Sequence, residues 1–136
     1  MTTSTRTALF AAIAAAGLWG AKTLAIGLAG GNDKSPLEGP FYLAGLAAFV
    51  LAIVALGVAL TRGRPVWLRA LAGLGTFVAG FAVTVAVDAT VGLFQDAGTQ
   101  RHWVWVEFNL WVIATLTLGL ALFARRRETV SRTQLV

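Results

Sequence analysis

The stretch FYLAGLAAFVLAIVALGVALT, Phe41 to Thr61, decides the fold. It runs for 21 residues without a charged side chain. About 20 such residues, rising 1.5 Å each in a helix, span the ~30 Å hydrocarbon core of a bilayer. Working outward, three further apolar stretches of similar length appear, at about 8–29, 66–91 and 103–124. The whole chain of 136 residues is 57% hydrophobic and 12% charged. A soluble domain carries about 25% charged residues. A chain this short keeps much of its surface exposed, so the apolar excess has no core large enough to hide in. Lipid is the solvent that fits.

The punctuation agrees with four crossings. Gly30, Gly31, Asn32 and Asp33 close the first stretch with residues that leave the helical region readily. Pro36 and Pro40 follow, and Pro40 suits the first turn of a helix, where a missing N–H costs nothing. Arg62, Gly63, Arg64 and Pro65 form a tight turn, and residues 96–100 separate the last two stretches. Connections this short make successive helices antiparallel neighbours. The expected fold is all-α, an integral-membrane four-helix up-down-up-down bundle in one transmembrane domain, with 125–136 as a short basic tail, polar and disordered from Glu128 onward.

Charge placement sets the expected orientation. Arg6, Arg62, Arg64, Arg69, Arg125, Arg126, Arg127 and Arg132 all fall at one end of such a bundle. The other end has Lys34 and Arg101 with Asp33, Glu38 and Asp96. The positive-inside rule then places both termini in the cytoplasm of a plasma-membrane protein. Aromatics mark both interfaces: Phe41, Tyr42, Phe94, Trp103 and Trp105 outside, Trp67 and Phe123 inside. The net charge of +5 and pI near 11.2 do not point to nucleic acid, because no basic stripe with interleaved aromatics is present. Arg6 ahead of an alanine-rich run resembles a signal peptide, but apolar character continues to Leu28, which favours an uncleaved helix.

Three ionisable residues fall inside the expected spans: Lys22, Asp88 and Glu107. Each costs roughly 2.5–3.5 kcal/mol at a helix centre, so each calls for a partner or water. Counting residues puts all three in the outer part of the bundle, with Lys22 on the order of 10 Å deep. The sequence leaves three uses open: a structural clasp with Lys22 reaching outward, a ligand pocket, or a proton relay through a carboxylate. Trp19 and Trp111 could wall a pocket over Lys22 or fill core space. Trp103 and Trp105 are expected anchors beside the cluster, and Asn109 is expected to bond another helix. On the third helix Ala72, Thr76, Gly80, Thr84 and Asp88 recur every fourth residue. Ala12, Ala16 and Gly20 repeat the spacing on the first, and Ala44, Ala48 and Ala52 on the second. Small residues at that interval let membrane helices approach closely, so Gly80 is expected at a helix contact.

Catalytic sets are hard to find. No cysteine is present, which excludes disulfides and thiolate sites and sets this chain apart from quinone-linked thiol oxidoreductases. His102, Glu107 and Asp96 are poorly spaced for a metal. Small multidrug transporters place a carboxylate in the first helix, where this chain has Lys22. No cofactor is expected, and the partners expected are the bilayer and either a membrane protein or a second copy. The sequence is read as a non-catalytic accessory subunit or ligand-binding membrane protein, with a small oligomeric transporter or channel using Asp88 or Glu107 as the alternative. A cysteine at Ser4 should resist an impermeant thiol reagent in intact cells, while one at Ser35 should react. Labelling at Ser4 would overturn the orientation.

Overall fold

The computed structural model describes residues 1–94 and 103–133, the last three by their backbone. Asp96, Arg101 and His102, with the ideas attached to them, lie outside the described residues. The described residues form four helices: α1 (Thr3–Ala29), α2 (Glu38–Leu60), α3 (Val66–Gly92) and α4 (Trp103–Thr133). All four are long and apolar enough to cross a membrane, and the chain has the architecture of a multi-pass membrane protein.

Each turn has a local cause. Gly30 adopts the left-handed conformation at φ 85°, and its neighbour's N–H reaches back to the Ile26 carbonyl at 3.0 Å, a Schellman-type stop. Asp33 also sits at positive φ, which a short polar side chain tolerates. Pro65 is the N-cap of α3, and Gly63 takes positive φ in the turn before it. Thr23, Thr76, Thr84, Thr90 and Thr117 within the helices, and Thr61 at the end of α2, turn their hydroxyls back to the carbonyl four residues earlier. Hydrocarbon itself offers no acceptor.

Helix α1 lies most extensively against α2, while α3 meets α4 only sparingly. The core is a column of small and branched side chains. Ala8, Ala11, Ala12 and Ala15 of α1 face Ala52, Ala55, Ile53 and Leu56 of α2, with Ala114, Ala121 and Ala124 of α4 closing the third side. Trp19 and Phe49 plug the far end, with ring centroids 5.7 Å apart. Of α3, only Gly73 and Val91 are buried within the chain.

Small residues set the α2–α3 contact. Gly57 lies against Thr76 and the Ala72 carbonyl, so closely that an added Cβ would collide with both. A Cβ on Gly80 would meet Ile53 Cδ1 at 2.7 Å and Phe49 Cζ at 3.5 Å. Thr76 Oγ1 crosses this contact to the Ile53 carbonyl at 2.8 Å, whereas the Thr84 hydroxyl stays on its own helix. The spacing of four residues therefore marks a packing face, though a Cβ added to Gly20, which shares the pattern, would meet nothing within 4 Å.

The helix ends depart from the expected ones. Helix α1 begins at Thr3 rather than near residue 8, and α2 begins at Glu38 rather than Phe41. Helix α4 does not stop near 124: residues 125–133, expected as a tail with disorder from Glu128, continue it. The reason is Glu128, which reaches the start of α1. It accepts from the Thr2 N–H at 2.9 Å and from the Thr2 and Thr5 hydroxyls, with Arg62 at 3.7 Å and the N-terminal ammonium at 4.0 Å. A carboxylate at a helix N-terminus, among donors and cations, holds three chain segments together.

Gly80→Leu should lower stability in detergent by about 1–3 kcal/mol through overpacking against Ile53. Val78→Leu, at a residue 59% exposed, should be nearly silent. Equal losses in a thermal-unfolding comparison would refute the packing assignment.

Candidate functional site: a buried charge cluster at the end opposite the arginines

Lys22 and Glu107 face each other across the α1–α4 contact, well inside the bundle. Lys22 is 4% exposed and Glu107 1%. The Lys22 ammonium pairs with Glu107 Oε1. Thr23, the next residue on α1, places its hydroxyl 3.0 Å from Glu107 Oε2. That hydroxyl is also 3.0 Å from the Trp19 carbonyl and receives the Trp111 indole N–H at 3.2 Å. Oε1 of the buried carboxylate thus has the ammonium, and Oε2 shares the single Thr23 hydroxyl hydrogen with the Trp19 carbonyl.

Lys22 has a second carboxylate at hand. Glu38, in the first turn of α2, brings Oε1 to 3.8 Å from the ammonium. Its other oxygen accepts the Asp33 N–H at 2.9 Å, so the α1–α2 loop fixes its direction. Tyr42, one turn further along α2, presents its ring 5.8 Å from Lys22 Nζ. Glu107 is thus the deep partner of Lys22 and Glu38 the shallow one. Sequence reasoning placed Glu38 in the loop outside the bundle and so missed it. Its position just ahead of Pro40, in what proves to be the first helical turn, was the available signal.

Asp88 belongs to a different contact. Its Oδ1 accepts the Asn109 amide at 2.6 Å, joining α3 to α4. Asn109 is 7% exposed, while Asp88 lies on an exposed face of α3. Glu107 and Asn109 are two residues apart on α4, about 200° around the helix, so one faces α1 and the other α3. Lys22 and Glu107 come together, and Asp88 pairs separately.

The tryptophans also separate. Trp19 is buried in the core, its indole packed directly over Gly45 of α2 and its N–H 3.4 Å from the Tyr42 carbonyl. It fills core space. Trp111 keeps its ring half exposed and turns only its N–H inward to Thr23. Trp103 lies over Gly27 at van der Waals distance from where a Cβ would stand, and Trp105 packs edge-on to Phe108 at 6.0 Å.

Chemically, the arrangement is one ammonium shared by two carboxylates, one of them sealed from solvent. Among the described residues no group of three or more potential ligands could hold a metal. No family model matches the chain, and neither curated proteins nor solved structures give a match.

Removing one member of a buried pair strands the other, at a cost of roughly 3–5 kcal/mol, less near water. Lys22→Met should therefore destabilise the protein, and adding Glu107→Gln should recover part of the loss. Strict additivity in this double-mutant cycle would show that the two groups are uncoupled.

Proposed function

We propose that this chain is a non-catalytic accessory subunit of the plasma membrane, with both termini in the cytoplasm. In this reading the Lys22–Glu107–Glu38 cluster is the clasp that keeps its outer half rigid. The observation that carries the proposal is the contrast between α3 and the rest. Helices α1, α2 and α4 bury a full face in the chain, whereas α3 buries two residues and leaves Leu71, Leu74, Val78, Val83 and Val85 outward. It is nonetheless anchored on α2 through Gly57, Thr76 and Gly80. A helix firmly held on one side and bare on the other suits presentation to another membrane helix, for which close packing rather than hydrophobicity supplies the attraction. The buried residues between the two ends of the bundle are mostly alanine, leucine and isoleucine, with Trp19, Phe49 and Thr117, which supports a packed core over a solute path.

The alternative, a small oligomeric transporter or channel, draws on the two carboxylates that share Lys22. In that case one carboxylate would exchange a proton or cation. Glu107→Gln would then abolish a proton-coupled flux in reconstituted vesicles while leaving the bundle folded.

A photo-crosslinking amino acid at Leu74 or Val78 should give a protein adduct of one discrete mass in cells, and the same probe at Leu120 of α4 should give lipid adducts. A heterologous adduct supports the accessory reading. Adducts to a second copy at Leu74 would favour the oligomer, and lipid alone at both positions would contradict a partner on α3.

A further inference from the structure

The first turns of α1 divide their polar side chains between two faces. Thr2 and Thr5 turn inward to Glu128. Thr3, Arg6 and Thr7 turn the other way, to the head of a groove of about 560 Å³ between α1 and α2. Its floor is alanine, Ala11 and Ala14 from α1 and Ala48 from α2, and Phe10 and Leu51 form its walls. Phe10 also carries the Arg6 guanidinium over its ring, 5.7 Å from the centroid, which holds the cation at the groove rather than free in solution.

Three features single out an occupant. Among the described residues Arg6 makes no ion pair, and neither the Thr3 nor the Thr7 hydroxyl has a hydrogen-bond partner. Thr7 is unlike Thr76, Thr84 and Thr117, whose hydroxyls return to their own helix. A guanidinium and two free hydroxyls at one point match the oxygens of a phosphate. From Thr3 to Ala14 the groove follows about 16 Å of helix, half the ~30 Å hydrocarbon thickness, and so the depth of one leaflet. Its polar groups lie only at the top and its walls below are wholly apolar. Head and tail chemistry are stacked in the order a lipid requires.

We propose that this groove is a binding site for one anionic phospholipid, its phosphate on Arg6, Thr3 and Thr7 and an acyl chain laid along Ala11, Ala14 and Ala48. The site is separate from the charged cluster and does not depend on the role assigned to α3. The lipid binds across α1 and α2 and couples the first turns of α1 to the leaflet at the arginine-rich end.

The test uses the full chain in mild neutral detergent, titrated with phosphatidylglycerol. Native mass spectrometry should show one retained lipid per chain and thermal unfolding should shift upward. Phosphatidylcholine and inorganic phosphate should do neither. Arg6→Gln should weaken binding about fivefold, the worth of one basic residue at an anionic surface. Ala14→Leu fills the groove from an exposed position and should weaken binding at least as much while the protein stays folded. Arg64→Gln removes the same charge from the same end, outside the groove, and should bind as the parent does. Equal losses for Arg64→Gln and Arg6→Gln would mean diffuse attraction and overturn the site. Parental binding by Ala14→Leu, or equal protection by inorganic phosphate, would overturn it too. So would an Ala14→Leu variant whose oligomeric state changes while its lipid binding does not.

Discussion

Burying an ammonium and a carboxylate opposite each other is the constraint on which the rest of this bundle turns. Lys22 and Glu107 are each tolerable in an apolar setting only because the other is there, and the cost of separating them fixes α1 against α4 in register and rotation. Once that pair is set, Thr23 must lie over the second carboxylate oxygen, Trp111 must turn its N–H to Thr23, and Trp19, one turn earlier on α1, packs over Gly45 of α2. Glu38 then reaches the same ammonium from α2. One ion pair orders three helices.

A second carboxylate does the corresponding work at the other end. Glu128 lies 21 residues beyond Glu107 on α4, about 32 Å of helix, close to the thickness of the hydrocarbon core. Between them α1 and α4 meet through alanines, whose small side chains allow close approach but specify little on their own. In lipid no hydrophobic force selects one alanine register over the next. The two carboxylates supply that choice. Helix α3 is outside this arrangement, held to α2 by glycine contacts and to α4 through Asn109 and Asp88, which is why it is the helix left bare.

How much of this was legible in the sequence follows from where the information is local. The four spans, their order and the turns could be read from apolar length, Gly, Asn and Pro, because a bilayer allows backbone little else. Gly80 was legible because spacing by four on one helix face is itself a local pattern. The meeting of Lys22 with Glu107 was legible as a need for partners, but the assignment of Asp88 to Asn109 was not. That depends on the rotation of α4, which sends Glu107 and Asn109 to different neighbours. Glu38 and Glu128 were missed for one shared reason. Each lies just beyond the apolar stretch that marked its helix, and only the fold shows that the helix continues and that its carboxylate turns inward. The role of Trp19 likewise rested on Gly45, 26 residues away, a relation that no spacing rule carries.

Lys22 is held by Glu107 inside the bundle and not by the membrane surface. Solid-state NMR on the protein in bilayers, with labelled lysine and glutamate side chains, measures this directly. Dipolar contact between Lys22 Nζ and the Glu107 carboxyl carbon is expected at no more than about 4 Å, lost in Glu107→Gln. A Lys22 Nζ coupled to lipid phosphorus instead, with no contact to Glu107, would contradict it.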